Sequence, residues 1–91
     1  MTTLQHIIEE KLRQEFLPTI LRLHNESHLH QGHAGDDGSG HSHFSLLLVS
    51  AAFAGCSRLK RQQMVLSVLQ QEISKLHAFS MQLQTPLEYK P

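Results

Sequence analysis

Apolar residues near the N-terminus recur every three or four positions, with polar residues between them. This spacing predicts an amphipathic helix. Thr2 and Gln5 have the spacing of a capping box at its start. Pro18 is expected to end it, because proline cannot continue a helix. The apolar set is Leu4, Ile7, Ile8, Leu12 and Phe16.

Three later segments show the shorter period of strands. Residues 20–25 alternate leucines with Arg22 and His24, which predicts a half-buried strand. Residues 43–50 are apolar on both faces in their second half, which is typical of a central strand. Residues 77–84 alternate strictly before Thr-Pro, so they are predicted to form the last strand.

A second, longer helix is predicted from Arg58, after a turn at residues 53–57 in which Ser57 is the expected N-cap. The element order is then helix, strand, strand, helix, strand. A helical connection between the last two strands favours an α+β fold, with a small three-stranded mixed sheet and both helices on one face. The apolar stripe of this helix is Leu59, Leu66, Leu69, Ile73 and Leu76, flanked by Val65 and Val68.

The 91 residues are interpreted as a single domain, with a loop at about 25–42 and a tail at 86–91. A chain of this length buries a modest core, so a substrate cavity enclosed on all sides is not expected. The formal net charge of zero argues against binding of nucleic acid by bulk electrostatics alone. Any contact with nucleic acid is expected to be local.

The remaining composition predicts a cytoplasmic protein. The lone Cys56 cannot form an internal disulfide, which fits a reducing compartment. The N-terminus lacks the pattern of a leader, and no apolar run approaches the roughly 20 residues of a membrane span. We find no nucleophile paired with a base and no phosphate-binding loop, so the chain is not expected to be an enzyme.

Six of the eight histidines fall in or beside the predicted loop, which also holds four of the five glycines. Neutral imidazole is a good ligand for zinc, copper, nickel and iron. The spacing matches no closed zinc pattern, so a self-contained structural metal site is not expected. A solvated connection that happens to be rich in histidine remains the alternative. The six are His24, His28, His30, His33, His41 and His43.

Outside the loop, five residues are candidates for chemistry. His77, taken alone, reads as a packed or hydrogen-bonded residue, although its position at a strand end would let it converge with a loop histidine on one metal. Cys56 reads as a small filler of the core or its edge. Arg58, Lys60 and Arg61 crowd the first turn of the second helix. They are either solvated surface charge or a site for phosphate or an acidic partner.

A combination of short motifs then resembles the BolA family over nearly the whole chain, from the first helix to Pro86. The resemblance implies an α-β-β-α-β architecture similar to the type II KH domain. The motifs are Asn25-Glu-Ser-His28, Gly32-His-Ala-Gly35, Ser42-His-Phe44, Val49-Ser50, Phe53-Ala-Gly55, Arg61 with Val65, Glu72-Ile73, His77-Ala78 and Thr85-Pro86.

The resemblance implies two functions of different classes. One is partnership with a monothiol glutaredoxin, with a [2Fe-2S] cluster shared between the glutaredoxin, glutathione and histidines of this chain. Position by position, the ligands implied are His77 and, in the loop, His33. Whether His28, His30, His41 or His43 can substitute for His33 is left open. The other function is regulation of transcription by DNA binding through the glycine turn and the basic helix start. A metal buffer without a partner is a third hypothesis.

Overall fold

The computed structural model describes residues 3–25 and 43–90. No helix within these two ranges is long and apolar enough to cross a membrane. Of the predicted loop, only Asn25 is described, as the last residue of a strand; the rest lies outside the described residues. The elements are α1 (Leu4–Phe16), β1 (Ile20–Asn25), β2 (His43–Val49), a short 3₁₀ turn (Ala51–Phe53), α2 (Arg58–Val68), α3 (Gln70–Ile73) and β3 (Ala78–Gln84).

The strands form one mixed sheet in the order β1-β2-β3. β1 pairs antiparallel with β2, and β2 pairs parallel with β3, so β2 is central as its apolar pattern predicts. The register aligns Leu23, Leu46 and Met81 across the three strands. This side of the sheet packs against α1 and α2, which confirms the predicted α+β fold. The buried cluster is Ile8, Leu12, Phe16, Leu23, Phe44, Leu46, Leu48, Phe53, Val65 and Leu69.

The start of α1 differs from the predicted capping box by one residue. Thr3 is the N-cap, and its side chain accepts a hydrogen bond from the His6 N–H at 3.1 Å. The Gln5 side chain instead donates to the carbonyl oxygen of Leu23 at 2.9 Å, which ties the helix to β1. The helix ends at Phe16, and the left-handed backbone of its C-cap Leu17 (φ 45°) turns the chain immediately before Pro18. The Gln5 side chain, which the predicted capping box required, is therefore hydrogen-bonded to β1 instead.

The second predicted helix is broken, and its buried stripe differs from the predicted one. Ser57 is the N-cap as predicted, but α2 ends at Val68 and the short α3 follows beyond Leu69. Val65 and Leu69 are fully buried, four residues apart on the side that faces the sheet. Leu59 and Leu66 are 63% and 36% exposed. Leu66 is about 100° around the helix from Val65, which turns it away from the core.

Ser50 joins three elements where β2 ends. Its hydroxyl is fully buried and donates to the carbonyl oxygen of Phe16, the last residue of α1, at 2.6 Å. The same oxygen accepts a hydrogen bond from the Ala52 N–H, which begins the 3₁₀ turn. That turn places Phe53 in the core, where its ring centroid lies 5.2 Å from that of Phe16. One serine therefore connects the helix layer, the sheet and the turn that leads into α2.

Ser50→Ala is expected to lower the free energy of unfolding by about 1–3 kcal/mol, because it leaves the buried Phe16 carbonyl without its donor. Urea unfolding followed by far-ultraviolet circular dichroism measures the change. The matched control is Ser80→Ala, because Ser80 is exposed on the other side of the sheet; it should stay within about 0.5 kcal/mol of the parent. Equal losses in the two variants would contradict this role for Ser50.

Candidate functional site

Two histidines lie side by side at one end of the sheet. His43 is the first residue of β2, and the parallel register sets it beside Ala78, the first residue of β3. His77 therefore precedes the strand rather than beginning it, and it is exposed. The two ring centroids are 6.0 Å apart and the rings meet edge to face, at 83°. That arrangement is favourable for an aromatic pair.

The segment that carries the predicted loop ligand is anchored at this same end of the sheet. β1 ends at Asn25, which pairs with Phe44, and the chain returns at His43. His33 itself lies outside the described residues, as do His28, His30 and His41. His24 is exposed and pairs with Ser45, two residues along β2 from His43. Both attachment points of the segment are thus close to His77 in the fold.

The described residues do not by themselves make a metal centre. Within residues 3–25 and 43–90, no three side chains of His, Cys, Asp or Glu converge on one point. Cys56 lies beyond the other end of β2, and a strand of seven residues spans about 20 Å. Its thiol is therefore too far away to join His77 on one metal. A metal held at His77 needs ligands from outside the described part of the chain.

The other end of the sheet is organised around Arg61, which sequence reasoning placed in a basic cluster with Arg58 and Lys60. Its guanidinium donates to the carbonyl oxygens of Cys56 and Leu83, at 3.0 and 3.1 Å. It also forms a two-pronged ion pair with Glu88, at 2.6 and 3.0 Å. Only 12% of the Arg61 side chain is exposed. The arginine therefore fastens the start of α2 to β3 and to the C-terminal turn.

Glu88 belongs to a capping box that the sequence analysis did not recognise. The Thr85 N–H donates to the Glu88 carboxylate at 2.9 Å, and the Glu88 N–H donates back to the Thr85 hydroxyl at 3.3 Å. The signal was present as Thr85-Pro-Leu-Glu88, a Thr-x-x-Glu pattern. The hydrogen bond from Arg61, followed by that from the Thr85 N–H, lowers the pKa of Glu88 to about 2. The bond to Glu88 in turn raises the pKa of Arg61.

Arg58 and Lys60 differ from Arg61 in being exposed. Among residues 3–25 and 43–90, neither forms an ion pair. Arg58 lines an open cavity of about 780 Å³ beside β3, together with Arg61 and the half-buried Cys56. Of the predicted basic triplet, two cations therefore face solvent, and the third has its charge balanced within the molecule.

The fold and the sites define a class: a small α+β domain with an exposed histidine at one end of its sheet and a basic helix start at the other. The family model described as BolA-like protein matches residues 12–88. The chain belongs to the BolA family. The resemblance stated from the motifs is thereby confirmed.

Three relatives show how far the likeness extends. The DNA-binding transcriptional regulator BolA of Haemophilus influenzae is 38% identical over 89 residues, covering 97% of this chain and 82% of the relative. SufE-like protein 1 of Arabidopsis thaliana is 43% identical over 86 residues, which cover 89% of this chain and only 23% of that longer protein. The structure of BolA1 from Arabidopsis thaliana superposes with a TM-score of 0.81 at 36% identity, covering 92% and 93% of the two chains.

The Arg61–Glu88 pair predicts a pH dependence of stability. The pKa of Glu88 in the folded protein is about 2, below its ordinary value of 4.5. The stabilisation is therefore complete above about pH 4.5 and is lost as the pH falls towards 2, because the unfolded state takes up its proton first. Glu88→Gln should flatten the fall in unfolding free energy across this window, as measured by urea titrations at several pH values.

The control for that experiment is Glu10→Gln, because Glu10 is exposed on α1. It should reproduce the pH dependence of the parent protein. If the parent and Glu88→Gln lost stability in parallel between pH 4.5 and pH 2, the ion pair would not be the source of the dependence.

Proposed function

We propose that this chain binds a monothiol glutaredoxin and contributes His77 and His33 to a [2Fe-2S] cluster shared with that partner and with glutathione. The observation that supports the proposal is the exposed position of His77, at the end of the sheet where the segment carrying His33 leaves and returns. An exposed imidazole at a strand end is accessible to another protein. A buried one would not be.

The ring of His43 gives this site a second feature. It lies edge-on to His77 at a centroid distance of 6.0 Å, and it is half-buried. A neighbouring ring restricts the orientations of an exposed imidazole and so reduces the entropy lost when that imidazole binds a metal. We assign His43 as a positioning residue for His77. It also remains the described histidine best placed to replace His33.

Two histidine ligands from this chain fit a cluster shared with a partner better than a cluster held by this chain alone. A [2Fe-2S] cluster takes four ligands on its two irons, commonly thiolates, with two replaced by histidine in Rieske centres. Two imidazoles from this chain leave two positions for thiolates, and Cys56 is too distant to fill one. The bound cluster would supply one-electron or cluster-transfer chemistry. Because histidine must be neutral to bind iron, such a bond is broken by protonation, which suits sensing or transfer better than storage.

The test is to add the protein to cluster-loaded monothiol glutaredoxin and record visible circular dichroism. The wild type should change the spectrum, because exchange of a ligand alters the surroundings of the iron. His77→Ala should abolish the change, and His33→Ala should reduce or abolish it. His43→Ala should weaken the response without removing it.

The control is His24→Ala, because His24 is also exposed near this end of the sheet but is not a proposed ligand. It should respond as the wild type does. An unchanged spectrum with the wild type, or a full response from His77→Ala, would refute the ligand assignment. Tight binding of zinc by the chain alone, lost in His77→Ala, would favour the metal-buffer hypothesis instead.

DNA binding is the second candidate function, and the exposed charges of Arg58 and Lys60 favour it. Both lie in the first turn of α2, which contains no acidic residue, and Arg58 faces the open cavity beside β3. The relative from Haemophilus influenzae is named a DNA-binding regulator. Neutralising phosphates with lysine or arginine releases counterions, so this mode of binding should weaken steeply with salt.

Band-shift titrations at several salt concentrations test this function. Arg58→Ala and Lys60→Ala should each weaken binding and reduce the salt slope by about 0.9, the value for one phosphate contact. Arg61→Ala is unsuitable as the diagnostic variant, because it also breaks the contacts to Cys56, Leu83 and Glu88. Glu10→Gln serves as the control. A complex with no salt dependence, or with an unchanged slope in both variants, would exclude contacts of these two residues with phosphate.

A further inference from the structure

The outward side of α2 carries two leucines that the core does not use. Leu59 and Leu66 lie seven residues apart, about two helical turns, and are 63% and 36% exposed. Gln62 and Gln63 lie between them and are exposed as well. Together these four residues form what we call the α2 crest. The side of the helix that faces the core is formed by other residues, among them the fully buried Val65 and Leu69.

The crest differs from the usual outer side of a surface helix. Such sides normally carry charged residues, and a single exposed leucine needs no explanation. Here two leucines share one side with only uncharged amides between them, which makes a short apolar stripe with a polar margin. Apolar side chains bordered by polar residues are compatible with contact to another protein, in which the partner would remove the leucines from water.

The charges at the start of the crest indicate the nature of the partner. Arg58 and Lys60 flank Leu59, and neither has an ion-pair partner in the described ranges. Arg58 lines the cavity beside β3, whereas Lys60 lines a groove between α1 and α2, so that cations stand on both sides of the crest. Positive side chains at a helix N-terminus oppose the helix dipole. An anionic group placed there would be favoured by both cations and by the dipole.

We propose that the α2 crest is a docking site for an acidic amphipathic helix of another protein. Its apolar side would cover Leu59 and Leu66, and its carboxylates would face Arg58 and Lys60. Nucleic acid satisfies this surface less well, because its phosphates would pair with the cations and leave the leucines in water. The site begins at the end of the sheet opposite His77, so it does not depend on the proposed glutaredoxin function.

The experiment titrates the isotope-labelled full-length protein with a synthetic helical peptide and follows backbone amide signals by NMR. The peptide carries leucines seven residues apart on one side and glutamates elsewhere. Saturable shifts should centre on residues 58–67. Leu59→Ser and Leu66→Ser should each weaken binding about tenfold, as loss of an interface anchor does. Arg58→Gln with Lys60→Gln should weaken it and reduce its dependence on salt.

The matched control is Leu87→Ser, because Leu87 is 95% exposed but lies outside α2. It should bind the peptide as the parent does, and thermal unfolding verifies that each variant is folded. The proposal is overturned if the peptide does not saturate at millimolar concentration, or if a scrambled peptide or one with lysines for glutamates binds equally well.

Two further results would reassign the surface. Binding of a short DNA duplex by the parent, unchanged in Leu59→Ser and Leu66→Ser while the acidic peptide fails to bind, would make the crest part of a nucleic-acid surface. Self-association of the parent in sedimentation, lost in Leu59→Ser, would make a second copy of this chain the occupant.

Discussion

The parallel pairing of β2 with β3 determines the path of the second half of the chain and the position of both candidate sites. Two strands that run in the same direction cannot be joined by a short turn, so the chain must cross the face of the sheet through α2 and α3. That crossing covers the apolar side of both strands. It also brings the starts of the two strands together, so that His43 and His77 become neighbours although they are distant in the sequence.

The same constraint separates the chemistry of the molecule into two ends. The histidines are at the starts of β2 and β3, whereas Cys56, Arg61 and Glu88 gather beyond their other ends. Arg61 bonds to the start of α2, to β3 and to the C-terminal turn, and therefore holds the crossover in place. The charge of Arg61 is balanced by Glu88 within the fold. The neighbouring Arg58 and Lys60 are exposed and form no ion pair within residues 3–25 and 43–90.

Local patterns predicted the elements well because each depends on a short stretch of chain. The alternation through Phe79 and Met81 predicted β3, and Ser57 was recognised as the N-cap. The buried side of α2 was not predictable in the same way, because the helix carries apolar residues on more than one side. Only its packing against the sheet determines that Val65 is buried and Leu66 is exposed. The Arg61–Glu88 pair was missed because 27 residues separate its members. Convergence of His77 with a histidine in or beside the loop was anticipated, but the identity of its neighbour as His43 follows from strand register, which composition does not specify.

The size of the domain explains why its candidate sites are all on the surface. The buried apolar residues of the described ranges form one layer between the helices and the sheet. A core of this size is too small to enclose a large cavity. The proposed metal site at His77 and the proposed docking site on the α2 crest both lie at the surface, where a second protein would complete them. Both proposals therefore depend on side chains that a partner can reach without any opening of the core.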